Sequence, residues 1–420
     1  MARIILNALA VLAALAAAFY QFYLKDMLVI LGYNRVVQRI GNERCQKVPG
    51  LRACEKISLH QPSGQLFLAC SEPDRRILWL PAALYLNPAG ASQDYVAIYD
   101  PKTTKITKLK LSGVDDGFDF SSHGMDVVPS ASNPSELFVY LVNHRPPKGL
   151  DARQWGADSV LEIFKHKIGD DKLTHIKTIQ SSLMIAPNDV VGSDDGTSLY
   201  FTNDNGQKTG IKRQIGVFLK RKATSVVYCH IQEGCKYAAR NMFSNNGIVR
   251  ASNGTFYVAH TLSGGLSILE EQSDNTLVIT DHIQTGESML LVPLSETKLL
   301  GHYELIFIIF VLTNAYAEYP MDNLSLDSEG HVWAAGFPNL LEIFNRYFVD
   351  PSILTASCAL RFSINTGPNA FYGEKYKVDK VFEDDGRIAS GITSVVHDAQ
   401  RKKLFLHGIL ASHLTICDMP

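Results

Sequence analysis

The sequence carries almost no net charge: 40 Lys and Arg stand against 42 Asp and Glu over 420 residues, a formal charge of −2. A protein that grips nucleic acid by neutralising phosphates needs a basic excess, so that class is excluded. Charged residues make up 20% and apolar residues 46%, which excludes a disordered chain and leaves an ordinary globular composition. No two of the seven cysteines are spaced as CxxC, which argues against a zinc ribbon. No GxSxG stretch is present, so a Ser-His-Asp hydrolase built on a nucleophile elbow is disfavoured. Strong helical periodicity is also missing beyond the N-terminal segment.

What is present begins at the N-terminus. From Ile4 to Leu24 there is no charged side chain over 21 residues, and a helix of about 20 apolar residues crosses a bilayer. Arg3 precedes the run; Lys25 and Asp26 follow it. The small residues Ala16–Ala18 also suit a signal-peptide cleavage site, but the apolar run is longer than a usual signal core. Residues 1–30 are therefore read as an uncleaved signal-anchor, with a cleaved signal peptide and a buried core helix as alternatives. Both membrane-targeting readings send the rest of the chain into the secretory pathway, membrane-anchored or extracellular.

The seven cysteines are Cys45, Cys54, Cys70, Cys229, Cys235, Cys358 and Cys417, and an odd count leaves at least one free thiol. A bridge between Cys45 and Cys417 would tie the two ends of the globular part together, which suits an oxidising compartment. Cys229 and Cys235 are close enough for a local hairpin bridge. Cys70 and Cys358 read equally well as buried small apolar residues.

One unit recurs along the chain: a turn rich in Asp, Ser, Gly and Pro, followed by an apolar strand. It appears as HQPSGQLFLACS (60–71), PSASNPSELFVYLVNH (129–144), GSDDGTSLYFTND (192–204), ASNGTFYVAHT (251–261), LDSEGHVWAAG (326–336) and HDAQRKKLFLHG (397–408). Turn residues supply the reversal, and alternation implies half-buried strands. Paired strands fall between the copies at 95–111, 161–179 and 266–283. Strand-turn-strand units repeated in this way predict an all-β fold, a six-bladed β-propeller with four-stranded blades over residues 40–420, preceded by the N-terminal hydrophobic helix. A pair of stacked β-sandwiches would not repeat one unit six times. The apolar segment 299–319 fits none of the copies, is too short at LIFIIFVL to span a membrane, and is taken as an insertion into a blade connection.

Polar motifs stand just ahead of apolar strands: Glu55 in ACEKISLH, Asn188-Asp189 in IAPNDVVG, Asn246-Gly247 in SNNGIV and Asp322-Asn323 in YPMDNLSLD. Singly, each is a turn or cap residue. In a propeller the innermost strands all begin around one tunnel, so equivalent strand starts converge. Glu55, Asn188, Asn246, Asp322 and Asn323 would then form a ring of two carboxylates and three amide oxygens, which suits Ca²⁺ with its six to eight oxygen ligands. His123, before Gly124 in SSHGMDVV, and His144 in VNHRPP are candidate general bases.

Taken in order, HGMDV (123–127), VNH (142–144), LEIFK and LTHIKTI (161–179), APNDVV (186–191), TND (202–204), NNGI (245–248), MDNLSLD (321–327) and Cys417 resemble the serum paraoxonase/arylesterase family. The resemblance covers roughly residues 40–420 and extends to the N-terminal apolar segment. It implies a six-bladed propeller with calcium in its tunnel and lactonase activity. By the same resemblance, Glu55, Asn188, Asn246, Asp322 and Asn323 would hold the catalytic calcium. Asp189 and the Met125 carbonyl would belong to a second, structural calcium; His123 and His144 would be the histidine pair beside the catalytic ion; and Cys45 would bridge Cys417. One position departs from the family pattern: Lys56 stands where a second carboxylate would bind the structural calcium, and a protonated lysine cannot ligate a cation. Its ammonium would pair with Asp189 instead, or point to solvent.

The expected function is calcium-dependent hydrolysis of a lactone or aryl ester, a small-molecule substrate, with no nucleic-acid partner and a membrane partner through the N-terminal segment. A membrane-held propeller that only binds is one alternative. A gluconolactonase-like or strictosidine-synthase-like propeller enzyme is another. The sequon at Asn253 suits a glycosylated surface loop. The formal sequon at Asn323 is expected to stay unmodified, because a tunnel-facing ligand is a poor acceptor.

Overall fold

A computed structural model of the chain describes residues 2–284, 319–367, 370 and 375–420. The six repeated units each form the first turn and second strand of a four-stranded antiparallel blade. Blade I comprises Lys56–His60, Gln65–Cys70, Tyr95–Asp100 and Lys105–Lys108. Blade II comprises Ser122–Pro129, Glu136–Arg145, Asp158–Lys167 and Lys172–Ile179, with Lys110–Ser112 added in parallel at its outer edge. Blade III comprises Pro187–Gly192, Ser198–Asn203, Thr224–His230 and Gly234–Met242. Blade IV comprises Asn245–Arg250, Thr255–His260, Gly265–Glu271 and Leu277–Gln284. Blade V comprises Met321–Leu326, Val332–Gly336, Ser357–Ile364 and Tyr376–Asp384. Blade VI takes Ser394–Asp398, Lys403–His407 and Leu414–Asp418 from the C-terminal end. Its fourth strand, Cys45–Val48, comes from the other end of the chain. The first strands neighbour one another in a closed ring.

The strands are buried more deeply than alternation suggests. The second strands of blades I and VI, Gln65–Cys70 and Lys403–His407, are enclosed on both faces after their first residue. The reason is that each blade is packed between two others. Alternation is seen on outer strands such as Lys172–Ile179. The core is therefore a ring of layers between blades rather than one centre. Phe67, Val96, Met125 and Phe164 pack between blades I and II, and Trp333, Phe382 and Leu404 between blades V and VI.

Closure of the ring is covalent. Cys45 lies opposite Cys417 in the strand register and is bonded to it. Cys229 and Cys235 face each other across a hairpin and are bonded as well. Cys70 is not a lone apolar residue: it pairs with Cys54, tying the lead-in to the first inner strand of blade I to the end of the second. Cys358 is a buried free thiol.

The N-terminal helix runs over Ala2–Ile30, long and apolar enough to cross a membrane, with a mean hydropathy of 2.1 over its most apolar 18 residues. Its end reaches the propeller: Ile30 is buried, and the Leu31 carbonyl accepts the Leu341 amide. Short helices lie in the loops, among them Ile211–Phe218 and Leu340–Glu342, the latter continuing as Ile343–Tyr347. Of the apolar segment 299–319, all but Tyr319 lies outside the described residues. In sequence the segment falls between the last strand of blade IV and the first of blade V.

Candidate active site

Each blade supplies at least one polar side chain, at or just before the start of its inner strand, to a single cavity of about 560 Å³. They include Glu55, His123, Asn188, Asn246, Asp322 and Thr393. Two glycines let the strands that carry them close up. A Cβ at Gly124 would sit 2.3 Å from the Asn188 carbonyl oxygen, and one at Gly247 would sit 2.6 Å from the Leu324 amide nitrogen. Any other residue would force those strands apart.

The convergence brings together groups that resist being together. Glu55 and Asp322 are both buried. Burial raises the pKa of each, and the Glu55 carboxylate pushes Asp322 further, well above the usual carboxylate range. Three side-chain oxygens in the ring have no hydrogen-bond partner: Glu55 Oε2, Asn188 Oδ1 and Asn246 Oδ1. An unsatisfied buried acceptor costs about 1–3 kcal/mol. Two like charges and three orphaned oxygens around one cavity are the donor set of a hard cation, so these residues fit Ca²⁺.

Neighbouring side chains hold the ring in place. Asn323 does not line the cavity; its Nδ2 donates to Glu55 Oε1 at 2.5 Å and to the Glu55 carbonyl at 3.1 Å. Thr393 Oγ1 donates to the same carbonyl at 2.8 Å. Asn246 Nδ2 donates to Thr261 Oγ1 at 3.1 Å, and that hydroxyl donates to the Met321 carbonyl. Thr202 Oγ1 ties the Asn246 carbonyl to the Asp189 amide. Asp189 is wholly buried and lies 2.6 Å from Lys56 Nζ. Met125 is buried in the inner strand of blade II, its side chain in the layer facing blade I.

His123 lines the cavity, and His144 stands behind it with ring centroids 5.1 Å apart. His123 Nε2 is 3.4 Å from Asn188 Nδ2, and His144 Nδ1 is 2.8 Å from Ser159 Oγ. The remaining nitrogens, His123 Nδ1 and His144 Nε2, have no partner. Burial, with the nearby Arg76 and Lys56 charges, lowers His123 to about 3. Burial, then His123 and Arg76, carries His144 well below its usual value. Both rings are therefore neutral at physiological pH.

Sequence reasoning overlooked several of these residues. Thr393 opens the inner strand of blade VI, but the stretch GITSVV holds neither carboxylate nor amide to draw attention. Arg76 is buried, donates to the Ser122 carbonyl at 2.7 Å and pairs with Asp94 at 3.2 Å. Only its place in the basic pair RR hints at it. Part of the cavity lining is apolar, built from Leu31, Leu80, Phe337, Leu340, Ile343, Phe344 and Phe348.

A second acidic cluster, Asp327, Glu329 and His331, groups side-chain atoms that could share a metal. Asp327 is already engaged: Oδ2 accepts from Trp333 Nε1 at 2.8 Å and lies 2.9 Å from His397 Nδ1, while Oδ1 accepts two amides. It joins blade V to blade VI. Asn253 is exposed in a turn, and Asn323 is 1% exposed, closed to any glycan in the folded state.

The sequence model of the Arylesterase family matches residues 37–293, more than half of the chain. "Serum paraoxonase/arylesterase 2" of Gallus gallus is 25% identical over 396 residues, covering 93% of this chain and 94% of that protein. The Rattus norvegicus protein of the same name is 26% identical over 329 residues, covering 77% and 76%. "Serum paraoxonase/arylesterase 1" of Homo sapiens is 25% identical over 364 residues, covering 86% and 85%.

Proposed function

The chain belongs to the arylesterase family, and on that footing we propose that it is a calcium-dependent hydrolase of lactones and aryl esters. The observation that carries the reading is the convergence of Glu55, Asn188, Asn246 and Asp322 on one cavity, with three of their oxygens unpartnered. These four would hold the ion. Asn323 would serve as the holder of Glu55 or, after a half-turn of its amide, as a fifth oxygen. Bound there, Ca²⁺ supplies Lewis-acid polarisation of the substrate carbonyl and charge for the developing oxyanion.

The chain's own residues do the rest. The apolar wall from Leu80 to Phe348 takes the hydrocarbon part of the ester and excludes water around it. Asn323 and Thr393 fix the Glu55 backbone, so the carboxylate stays aimed without reorganising. His123, neutral at the cavity wall, would accept a proton from an attacking water, with His144 packed behind it. A base with a pKa near 3 is weak at neutral pH, so the histidine assists and the carboxylate ring matters more.

The helix Ala2–Ile30 would hold the propeller at a membrane of the secretory pathway, where the three disulfides can form. Asn253 would carry a glycan there. The deciding experiment is turnover of a panel of lactones and aryl esters by the full chain with calcium, with chelator, and after calcium is restored. Hydrolysis that ceases with chelator and returns with calcium is expected. Hydrolysis indifferent to chelator removes the ion from the mechanism, and none under any condition removes the enzyme.

A further inference from the structure

Beside the cavity but outside it, a second buried cluster is built around Lys56. Its ammonium lies 2.6 Å from Asp189 Oδ2, 3.1 Å from the Leu324 carbonyl oxygen and 3.4 Å from Asn323 Oδ1. Asp189 Oδ2 also accepts the Ile248 amide at 3.0 Å. Lys56 belongs to blade I, Asp189 to blade III, Ile248 to blade IV, and Asn323 and Leu324 to blade V. One charge thus gathers oxygens of blades III and V and, through Asp189, holds an inner-strand amide of blade IV. Water is excluded from it: the Lys56 side chain is 6% exposed and that of Asp189 is 0%.

The residues here do not fit a divalent ion. A lysine ammonium has three donors and no lone pair to offer. The Asp189 carboxylate, the one carboxylate in direct contact with the ammonium among the described residues, already lies against it. A divalent ion entering beside Lys56 would meet a like charge in a poorly screened interior. The geometry matches the ammonium's needs instead: three oxygens within 3.4 Å, one of them charged.

We propose that Lys56 is a built-in axial cation standing in for a second metal ion. The propeller then holds at most one calcium ion, and its inner strands stay joined at the axis when all metal is stripped away. The consequence for function is a separation of roles. Calcium, where it binds, serves the cavity alone, and the fold answers to a side chain that cannot diffuse off.

The test is a metal count on the full chain after equilibration with calcium and removal of the free ion, together with melting curves with and without chelator. No more than one ion per wild-type chain is expected, and two overturn the proposal. Lys56→Asp should hold one ion more than the wild type and should melt several degrees lower in chelator than in calcium. An unchanged ion count in that variant also overturns the proposal. Should Lys56→Asp not fold, Lys56→Met serves in its place: it should melt several degrees below the wild type in calcium and in chelator alike, and a wild-type melting temperature would sink the axial role. No ion in the wild type and one in Lys56→Asp would support the axial cation while removing calcium from the proposed catalysis, so the two readings fail separately.

Discussion

Asn323 holds Glu55 by two bonds from one amide nitrogen, 2.5 Å to Oε1 and 3.1 Å to the backbone carbonyl. Blade V thereby orients the carboxylate of blade I. One oxygen is taken by the amide, and the other, Oε2, is left without a partner beside the cavity.

If that carboxylate and Asp322 exist to meet a cation, neutralising either should abolish binding without harming the fold. Glu55→Gln and Asp322→Asn should each lose calcium binding in a titration calorimeter and reduce ester turnover by at least about 100-fold. In chelator the same variants should melt no lower than the wild type, because each removes one of two buried like charges. A lower melting temperature in chelator would mean that the carboxylates serve the fold instead.

His123 should matter less. Its pKa of about 3 makes it a poor proton acceptor at neutral pH. His123→Gln should cost on the order of tenfold in kcat, well short of the Asp322→Asn effect, and should leave the calcium affinity unchanged. A loss equal to that of Asp322→Asn would make the histidine the principal base.

The apolar wall predicts a split between binding and turnover. Phe344 lines the cavity yet is 47% exposed, packing edge-on against Phe348. Phe344→Ala should raise KM for esters with a long apolar acyl group by about fivefold, the equivalent of roughly 1 kcal/mol of lost burial. It should leave kcat and the melting temperature nearly unchanged. Short, polar lactones should not notice the change.

The Cys45–Cys417 bond closes a loop with a sequence separation of 372. Cys45→Ser should destabilise the propeller by about 2–5 kcal/mol, seen as a lower denaturant midpoint. Asp322-dependent hydrolysis should persist under native conditions. Cys229→Ser, which opens a separation of only 6 residues, should cost less.

His407 sets a pH dependence away from the cavity. Burial lowers it to about 4, and its ring lies between the Gly408 amide and the Leu51 carbonyl. The unfolded chain binds this proton below about 6.5 and the folded chain only below about 4. Its contribution to stability is therefore intact above 6.5 and is lost as pH falls through that window, by about 3 kcal/mol at most. His407→Gln should lower stability at pH 7 and flatten the decline between pH 6.5 and pH 4, read from urea midpoints at each pH.

The blades were legible because each repeats one local problem, a tight turn into a strand with no room for water. The six stretches from residue 60 to residue 408 carry that signature, and all six become equivalent hairpins. Glu55, Asn188, Asn246 and Asp322 followed from it, since equivalent strand starts must meet on an axis. What stayed hidden lacks a local signature. The helix Ile211–Phe218 is too short for its period to stand out, and it leaves Ile211, Ile215 and Phe218 exposed. The Cys54–Cys70 bond depends on two strands lying side by side, which no spacing announces. Depth of burial was underestimated for the second strands, because alternation reports one neighbour and a blade has two.

The closing blade has a consequence in time. Its outer strand, Cys45–Val48, is synthesised first, and its bonding partner, Leu414–Asp418, last. Until Cys417 has been made, Cys45, nine positions from Cys54, lacks its final bonding partner, and the other five blades cannot be locked into a ring. A growing chain is thus a crescent with two sticky edges. The ring comes into being only when the final strand arrives.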